Sequence, residues 1–178
     1  MVSQTHWRAL SELFGWGYFV MWTFSMYPQI CKNYYFRSVE GFSIDYATIN
    51  PMGYFAYVIY NIQGSISNGK IGDTGQIDLN DVFYAVHGFA CSLVIFVQTI
   101  IYERGKSVGS RWKRWSLAFV IAEFCILTAF FVMETWGWRA FRQTYAANVG
   151  PDFLAPHLSF VRMCGYIKAL TSFVKYIP

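Results

Sequence analysis

Five long apolar segments, separated by polar stretches, dominate the pattern along this chain of 178 residues. Each segment holds about 20 residues, which is the length that a helix needs to cross the hydrocarbon core of a bilayer. The segments lack the alternation of apolar and polar residues that a half-buried strand requires. The pattern therefore predicts an all-α polytopic membrane protein, with spans at about 10–31, 43–63, 81–102, 115–136 and 153–177.

The composition agrees with a membrane protein and narrows the classes of function. Hydrophobic residues make up 55% of the chain and charged residues 13%, against about 25% charged residues in soluble domains. The net charge of +4 comes without a basic segment interleaved with aromatic residues, so nucleic acid is not an expected partner. The four cysteines form no CxxC pair, which predicts packing residues rather than a metal site. No nucleophile has a base and an orienting group at suitable spacing, so neither an enzyme nor a cofactor is expected.

The basic residues outside the apolar segments predict the orientation in the membrane, because Lys and Arg collect in cytosolic loops. The N-terminal side carries four of them and the opposite side seven. This bias places the N-terminus outside the cell or in a lumen. The four are Arg8, Lys70, Arg139 and Arg142, and the seven are Lys32, Arg37, Arg104, Lys106, Arg111, Lys113 and Arg114.

Polar and proline residues inside the first two spans are candidates for function, because they are costly within a bilayer. Pro28 lacks an N–H and frees a backbone carbonyl in its own span. It predicts a kink, which is either a hinge or merely tolerated, with Gln29 available to bond nearby polar groups. Asn50 and Asn61 are eleven residues apart and share a helical face. These amides either bind a polar solute or join helices, with Gly53 allowing close approach.

The third and fourth spans carry acidic residues whose roles the sequence leaves open. Asp81, Tyr84 and His87 are spaced by three and lie roughly on one face. Asp81 also suits the positive end of a helix dipole, after Asn80 as a cap. His87 is expected to be a packing residue, and Glu123 has no partner in its own span, so it must pair with another helix or face a cavity.

Two lysines, seven residues apart, share a face of the fifth span. Lys175 lies near the end of the chain, and we expect it to extend to the cytosolic interface. Lys168 lies deeper, where an ammonium needs an anion, either a protein carboxylate or the carboxylate of a transported solute. Arg162 lies in the same segment without an assigned role.

Four segments of the chain resemble the cystinosin family of PQ-loop transporters. The first is WTFSMYPQICKNYYFRSVEGFSIDYATINPMGYFAYVIYN at 22–61, with its Tyr-Pro-Gln triplet and an Asn-x-x-Gly-Tyr-x-Ala-Tyr helix. The others are NDVFYAVHGF at 80–89, IYERG at 101–105 and CGYIKALTSFVKYIP at 164–178. The resemblance implies two three-helix bundles joined by a linker helix, and proton-coupled export of cystine from the lysosome.

The resemblance also implies roles for individual residues. Cystine would contact Trp22, Met26, Asn50, Asn61 and Lys168, and Asp81 would couple transport to protons. Pro28 and Gln29, after Tyr27, would form one hinge and Pro178 a second. Met26 stands where the family usually has an aromatic residue. The implied partners are cystine, protons as the coupling ion and the lipid bilayer, in a lysosomal, vacuolar or endosomal membrane with the N-terminus in the lumen.

By this resemblance the chain divides into three parts. Residues 1–102 form the first bundle, 103–137 a basic loop and the linker helix, and 138–178 a loop and the first helix of a second bundle. The chain then stops before the second bundle is complete, so we expect it not to transport alone and to need a partner subunit or the missing C-terminal half. Two alternatives remain: another PQ-loop carrier of sugars or amino acids, and a non-transporting membrane protein that acts through a partner. Lys168 disfavours a cationic substrate, because like charges repel.

Overall fold

A computed structural model describes residues 3–66, 77–103, 114–135 and 160–175. These residues form five helices and no strand, which confirms the predicted all-α fold. The five helices are α1 (Ser3–Phe36), α2 (Ile44–Ile66), α3 (Leu79–Glu103), α4 (Arg114–Thr135) and α5 (Phe160–Val174). The first helix is longer than its predicted span at both ends. The first residues of the fifth predicted span, 153–159, lie outside the described part of the chain, as does Pro178.

Local signals at the helix ends explain where α1 stops and where α2 begins. Arg37 adopts a left-handed backbone conformation with φ of 49° directly after α1, and Gly41 has φ of 81°, which ends the helix and turns the chain. Ser43 then caps α2, because its Oγ accepts the N–H of Tyr46 at 3.3 Å. Asp45 adds a negative charge in the first turn of α2.

The start of α3 differs in one detail from the sequence prediction. The helix begins at Leu79, so Asn80 lies inside the first turn and the predicted Asn80 cap is wrong. Asn80 still satisfies a backbone group of that turn, since its Oδ1 accepts the N–H of Asp81 at 3.0 Å. Asp81 remains an acid in the first turn, where the helix dipole favours it.

Helix α2 contacts more of the other helices than any other helix does. It contacts α3, α4 and α5, while α1 packs on α3 and α4 packs on α5. The backbones of α1 and α2 do not meet within the described residues, because α3 lies between them. Contacts that advance together along both helices, such as Phe19 with His87 and Asn33 with Gln98, show that α1 and α3 are parallel.

Glycines allow the closest helix approaches to α2. A Cβ atom on Gly53 would lie 2.5 Å from Cγ2 of Thr171 on α5. A Cβ atom on Gly88 of α3 would collide with the ring of Tyr54. Any larger residue at either position would push α2 away from its neighbour.

The outer surface is apolar and suits a bilayer. Two of the described helices, α3 over Leu79–Tyr102 and α4 over Trp115–Met133, are long and apolar enough to cross a membrane. Large hydrophobic side chains remain exposed along α4, including Leu117, Ile121 and Phe124. Apolar side chains outside and polar side chains inside are the arrangement expected of a helical membrane protein.

Candidate functional site

Three tyrosines and a lysine meet between α2, α3 and α5, and we call them the tyrosine–lysine cluster: Tyr54, Tyr57, Tyr84 and Lys168. Nζ of Lys168 lies 3.8 Å from the ring centroid of Tyr54 and 5.3 Å from that of Tyr57. The hydroxyls of Tyr54 and Tyr84 are 3.0 Å apart and share a hydrogen bond. The cluster therefore presents one positive charge against aromatic faces at the meeting point of three helices.

Helix α1 closes one side of this cluster with aromatic residues. Tyr84 has its ring centroid 5.3 Å from that of Tyr18 and 6.4 Å from that of Trp22. The family resemblance implies one substrate site for Trp22 and Lys168, and the rings of Tyr84 and Tyr54 connect the two residues. Met26, one turn beyond Trp22, is half-buried on the same face of α1.

The ring of Tyr54 is held in place by tight packing. Only 2% of Tyr54 is exposed, and the missing side chain of Gly88 leaves room for the ring on α3. A buried tyrosine hydroxyl needs a polar partner, which Tyr84 supplies. The aromatic surface under the ammonium of Lys168 is consequently rigid and preformed.

The charge of Lys168 is only partly compensated by these contacts. A cation over an aromatic face gains about 0.5–2 kcal/mol, against an insertion cost of about 2.5–3.5 kcal/mol for a charge at the centre of a bilayer. Among the residues that the structure describes, no carboxylate pairs with this ammonium. An anionic group of a solute would supply the missing charge.

The two asparagines of α2 are buried and bonded within the protein. Asn50 accepts a hydrogen bond from Nζ of Lys175 at 3.2 Å. Asn61 donates to the backbone carbonyl of Tyr57 at 2.8 Å. Lys175 is half-buried and joins α5 to α2, and its position at the cytosolic interface stays a prediction.

A chain of amide groups joins α1 to α3 directly after Pro28. Gln29 donates to Asn33 at 2.7 Å, Asn33 donates to Gln98 at 3.0 Å, and Gln98 donates to the carbonyl of Ile30 at 3.1 Å. Gln29 thus bonds a nearby polar group, as the sequence predicted. Helix α1 continues through Pro28 without interruption.

Tyr27 and His87 make a second polar contact between α1 and α3. The hydroxyl of Tyr27 lies 3.1 Å from Nε2 of His87, and Sγ of Cys91 lies 3.6 Å from the same nitrogen. His87 also packs its ring against Phe19. These contacts agree with the packing role that the sequence favoured for His87.

Asp81 is half-buried at the start of α3, one turn before Tyr84 of the cluster. This position allows both roles that the sequence left open. The first turn of a helix favours an acid, and a proton carrier at Asp81 would lie one turn from the tyrosine–lysine cluster. The structure therefore brings Asp81 near the candidate site without separating the two roles.

Glu123 pairs with a residue of another helix, which is one of the two arrangements that the sequence predicted for it. Thr171 on α5 donates a hydrogen bond to Oε1 of Glu123 at 2.6 Å. The side chain is 2% exposed. The methyl group of Thr171 packs on Gly53, so α2, α4 and α5 meet at this threonine.

Sequence reasoning missed Tyr54 and Tyr57 as members of the site. Their only signal is the Asn-x-x-Gly-Tyr-x-Ala-Tyr pattern after Asn50, which places two rings three residues apart on one face. In a chain with 21% aromatic residues, that spacing alone does not distinguish a binding surface from packing.

Comparisons with known proteins agree with the resemblance seen in the motifs. Residues 10–69 match the PQ loop repeat model. The chain is 30% identical to bovine cystinosin, over 95% of the chain and 43% of cystinosin. It is 26% identical to a cystinosin homolog of Dictyostelium discoideum, over 95% of the chain and 55% of that protein. It is also 26% identical to a cystine transporter of Saccharomyces cerevisiae, over 96% of the chain and 65% of that protein.

These matches confirm that the chain resembles the cystinosins of the PQ-loop family over nearly its whole length. The chain in turn spans about half the length of the relatives it matches, from 43% to 65% in these three.

Proposed function

We propose that this cystinosin-like PQ-loop chain forms part of a membrane carrier that moves cystine from the lysosome lumen to the cytosol together with protons. The observation that carries the proposal is the ammonium of Lys168, which lies on the faces of Tyr54 and Tyr57. The names of the relatives, cystinosin and cystine transporter, support cystine as the solute.

The chemistry of the tyrosine–lysine cluster suits a zwitterionic amino acid. Cystine carries two carboxylates and two ammonium groups, so one carboxylate pairs with Lys168 in a charge-assisted bond. An ammonium group of the same solute fits over a tyrosine face. A sugar offers no charge to Lys168, and a lysine-like side chain adds a repelling one.

Other residues of the proposed pathway lie around this cluster. In this proposal Trp22 and Met26 form its wall on α1, while Asn50 and Asn61 face it from α2. Pro28 and Gln29 form the hinge of α1, and Pro178 is the corresponding hinge at the end of the chain. Binding of cystine would bring the walls together around the solute.

Saturable binding of labelled cystine to the chain in lipid nanodiscs tests the substrate. We expect unlabelled cystine to displace the label, and glucose and lysine to leave it in place. Displacement by glucose or lysine, or no saturable binding of cystine, would contradict the assignment. A parallel measurement in vesicles, with and without a pH gradient, tests whether bound cystine also crosses the membrane.

Proton coupling is proposed to involve Asp81, whose half-buried carboxyl lies one turn from Tyr84. The substitution Asp81→Asn removes the titrating charge. If Asp81 only serves the helix dipole in the first turn of α3, the variant should lose about 0.3–1 kcal/mol of stability and keep the pH dependence of cystine binding. If Asp81 carries the proton, the variant loses the pH dependence of cystine binding while its helices remain folded. In a carrier completed by the C-terminal half or a partner subunit, it should also lose the pH dependence of flux. Unchanged pH dependence would assign Asp81 to the helix end alone.

The lysosomal membrane, with the N-terminus in the lumen, is the proposed location. The excess of Lys and Arg on the opposite side supports this orientation. An epitope at the N-terminus should be protected from antibody in cells whose plasma membrane alone is permeabilised. After all membranes are permeabilised, the epitope should coincide with a lysosomal marker. Labelling without permeabilisation of internal membranes would reverse the orientation.

A further inference from the structure

Glu123 lies at the middle of the apolar span of α4. Eight residues separate it from Trp115 and ten from Met133, the ends of that span. At the rise of an α-helix these separations are about 12 Å and about 15 Å. The side chain is only 2% exposed, so the carboxyl group is buried in the protein midway between the two ends of the span.

The hydrogen bonds around Thr171 show which form of the carboxyl fits this place. The hydroxyl oxygen of Thr171 lies 2.6 Å from Oε1 of Glu123 and 2.8 Å from the carbonyl oxygen of Ile167. A hydroxyl has one hydrogen to donate and can also accept. If Glu123 is ionised, the single hydroxyl hydrogen of Thr171 can bond either Oε1 of Glu123 or the carbonyl oxygen of Ile167, but not both. If Glu123 carries a proton, it donates to Thr171, which donates to Ile167, and both contacts become hydrogen bonds.

The second carboxyl oxygen points to the same conclusion. Oε2 of Glu123 is buried and has no hydrogen-bond partner in the part of the chain that the structure describes. A bare carboxylate oxygen within a bilayer is costly, whereas a neutral carboxyl at that place costs far less.

The titratable and charged groups near this carboxyl come from the two helices that pack on α4. Helix α5 contributes Cys164, Lys168 and Lys175, which lie on the same side as Thr171 at helical spacing. Helix α2 contributes Tyr60 toward α4 and α5, and Asp45 in its first turn. The two lysines, one turn on either side of Thr171, are the cations on this face of α5.

We propose that Glu123 is a proton-binding site in α4, joined through Thr171 to the face of α5 that carries Lys168 and Lys175. A proton from the aqueous phase adds to Oε1 of Glu123, and the hydroxyl hydrogen of Thr171 turns to the carbonyl of Ile167. Release of the proton reverses both movements. The site deepens the proposed function and rests on it for its effect on cystine.

The effect on cystine follows from competition for the lysine charges. Glu123 bonds Thr171 of α5, and Lys168 and Lys175 lie one turn on either side of that threonine. An ionised Glu123 therefore places an anion of the protein against the face of α5 that carries both ammonium groups, and its charge opposes their attraction for a solute carboxylate. Protonation removes that competing charge. Proton binding at Glu123 therefore favours cystine binding, and by linkage cystine binding favours proton uptake.

Infrared difference spectroscopy of the chain in lipid vesicles, between neutral and acidic buffer, detects the proton directly. We expect protonated carboxyls to give a carbonyl band in the wild-type protein, and Glu123→Gln, which keeps the shape of the side chain, to lose the component of that band that belongs to Glu123. Thr171→Val should keep the band at a shifted frequency, because its hydrogen-bond partner is gone. Glu12→Gln, which removes an exposed carboxyl of α1, is the matched control and should keep the band unshifted.

A band that persists unchanged in Glu123→Gln would overturn the proton site. Helix content and elution profile in detergent establish that each variant is folded. Because the spectrum needs no cystine, its outcome is independent of the proposed transport function.

Cystine affinity in neutral and acidic buffer then tests the coupling. We expect the wild-type dissociation constants to differ by about fivefold or more, and Glu123→Gln to reduce this ratio while Glu12→Gln preserves it. An unchanged ratio together with a lost band would retain the proton site and overturn its coupling to cystine. Absence of cystine binding with the band present would instead contradict the proposed function.

Discussion

Individual side chains in this protein are defined by the partner that a second helix brings to them. Lys168 meets the ring of Tyr54, and Glu123 meets the hydroxyl of Thr171. In water these contacts would be weak, but within a bilayer an uncompensated polar group has no solvent to replace its partner. Single substitutions should therefore change both binding and stability, and the two effects must be measured separately.

Lys168→Ala should weaken cystine binding by about 10- to 100-fold, because a hydrogen bond to a charged group contributes about 1.5–3 kcal/mol. Lys168→Arg should restore only part of the affinity, since a planar guanidinium differs from an ammonium in shape and hydration. The measurement is the dissociation constant of labelled cystine in nanodiscs.

Lys32→Ala, which removes an exposed ammonium of α1, is the control and should bind cystine normally. Equal affinities of wild type and Lys168→Ala would remove Lys168 from the site. Lys175→Ala is not a suitable control, because it deprives buried Asn50 of its donor.

The hydroxyl pair of Tyr54 and Tyr84 should stabilise the contact of α2 with α3. We expect Tyr54→Phe and Tyr84→Phe each to lower the free energy of unfolding by about 0.5–1.5 kcal/mol. The double variant should lose less than the sum of the two, since both single changes remove the same bond. Unfolding in mixed micelles, followed by circular dichroism, measures the cycle, and strict additivity would show that the hydroxyls do not interact.

At the scale of helices, close approach to α2 depends on residues without side chains. Gly53 touches Thr171 of α5, and Gly88 touches Tyr54 of α2. Small residues let the backbones of membrane helices come together, so that dispersion contacts replace the hydrophobic effect that acts in water.

Gly53→Ala should lower the stability of the protein by about 1–3 kcal/mol, because its Cβ would meet Thr171 at 2.5 Å. The matched control is Gly17→Ala in α1, whose Cβ would have nothing within 4 Å. That control should be neutral or gain about 0.5–1 kcal/mol from helix propensity. Melting temperatures in detergent compare the two, and similar shifts would show that α2 and α5 do not pack closely at Gly53.

The length and apolar character of each segment were sufficient to predict the helices, but not their partners. The spans near 43–63 and 81–102 agree with α2 and α3 because apolar residues extend over nearly the whole of each helix. Spacing placed Lys168 and Lys175 on one face, yet it could not show which tyrosine rings each of them would face or that Lys175 would also bond Asn50. Glu123 illustrates the same limit, since its partner Thr171 lies 48 residues away in the chain.

At the scale of the whole molecule, the helix order is α1, α3, α2 and α5, with α4 across the last two. Helix α1, which carries Trp22 and Pro28, therefore touches the rest of the described backbone only along α3. A helix held along one side can change its tilt with few contacts broken, which suits the hinge proposed at Pro28.

Cross-linking tests this helix order. In a background with Cys31 and Cys125 replaced, the pair Trp16→Cys and Phe83→Cys should form a cross-link across α1 and α3, because the native ring centroids are 5.9 Å apart. The pair Trp16→Cys and Gln63→Cys, across α1 and α2, should react much less. Equal yields of the two products, measured by gel mobility, would contradict the placement of α3 between α1 and α2.

The central position of α2 has a consequence for sequence variation. Substitutions on the outer face of α4 meet only acyl chains, for which one apolar side chain serves as well as another. The turns of α2 instead meet fixed neighbours on α3, α4 and α5. Asn50 meets Lys175 and Gly53 meets Thr171 on the side of α5, and Tyr54 meets Gly88 on α3. Disabling mutations should thus concentrate in the 23 residues of α2. Helix α4 should tolerate exchanges of one apolar residue for another everywhere except on the side that carries Glu123.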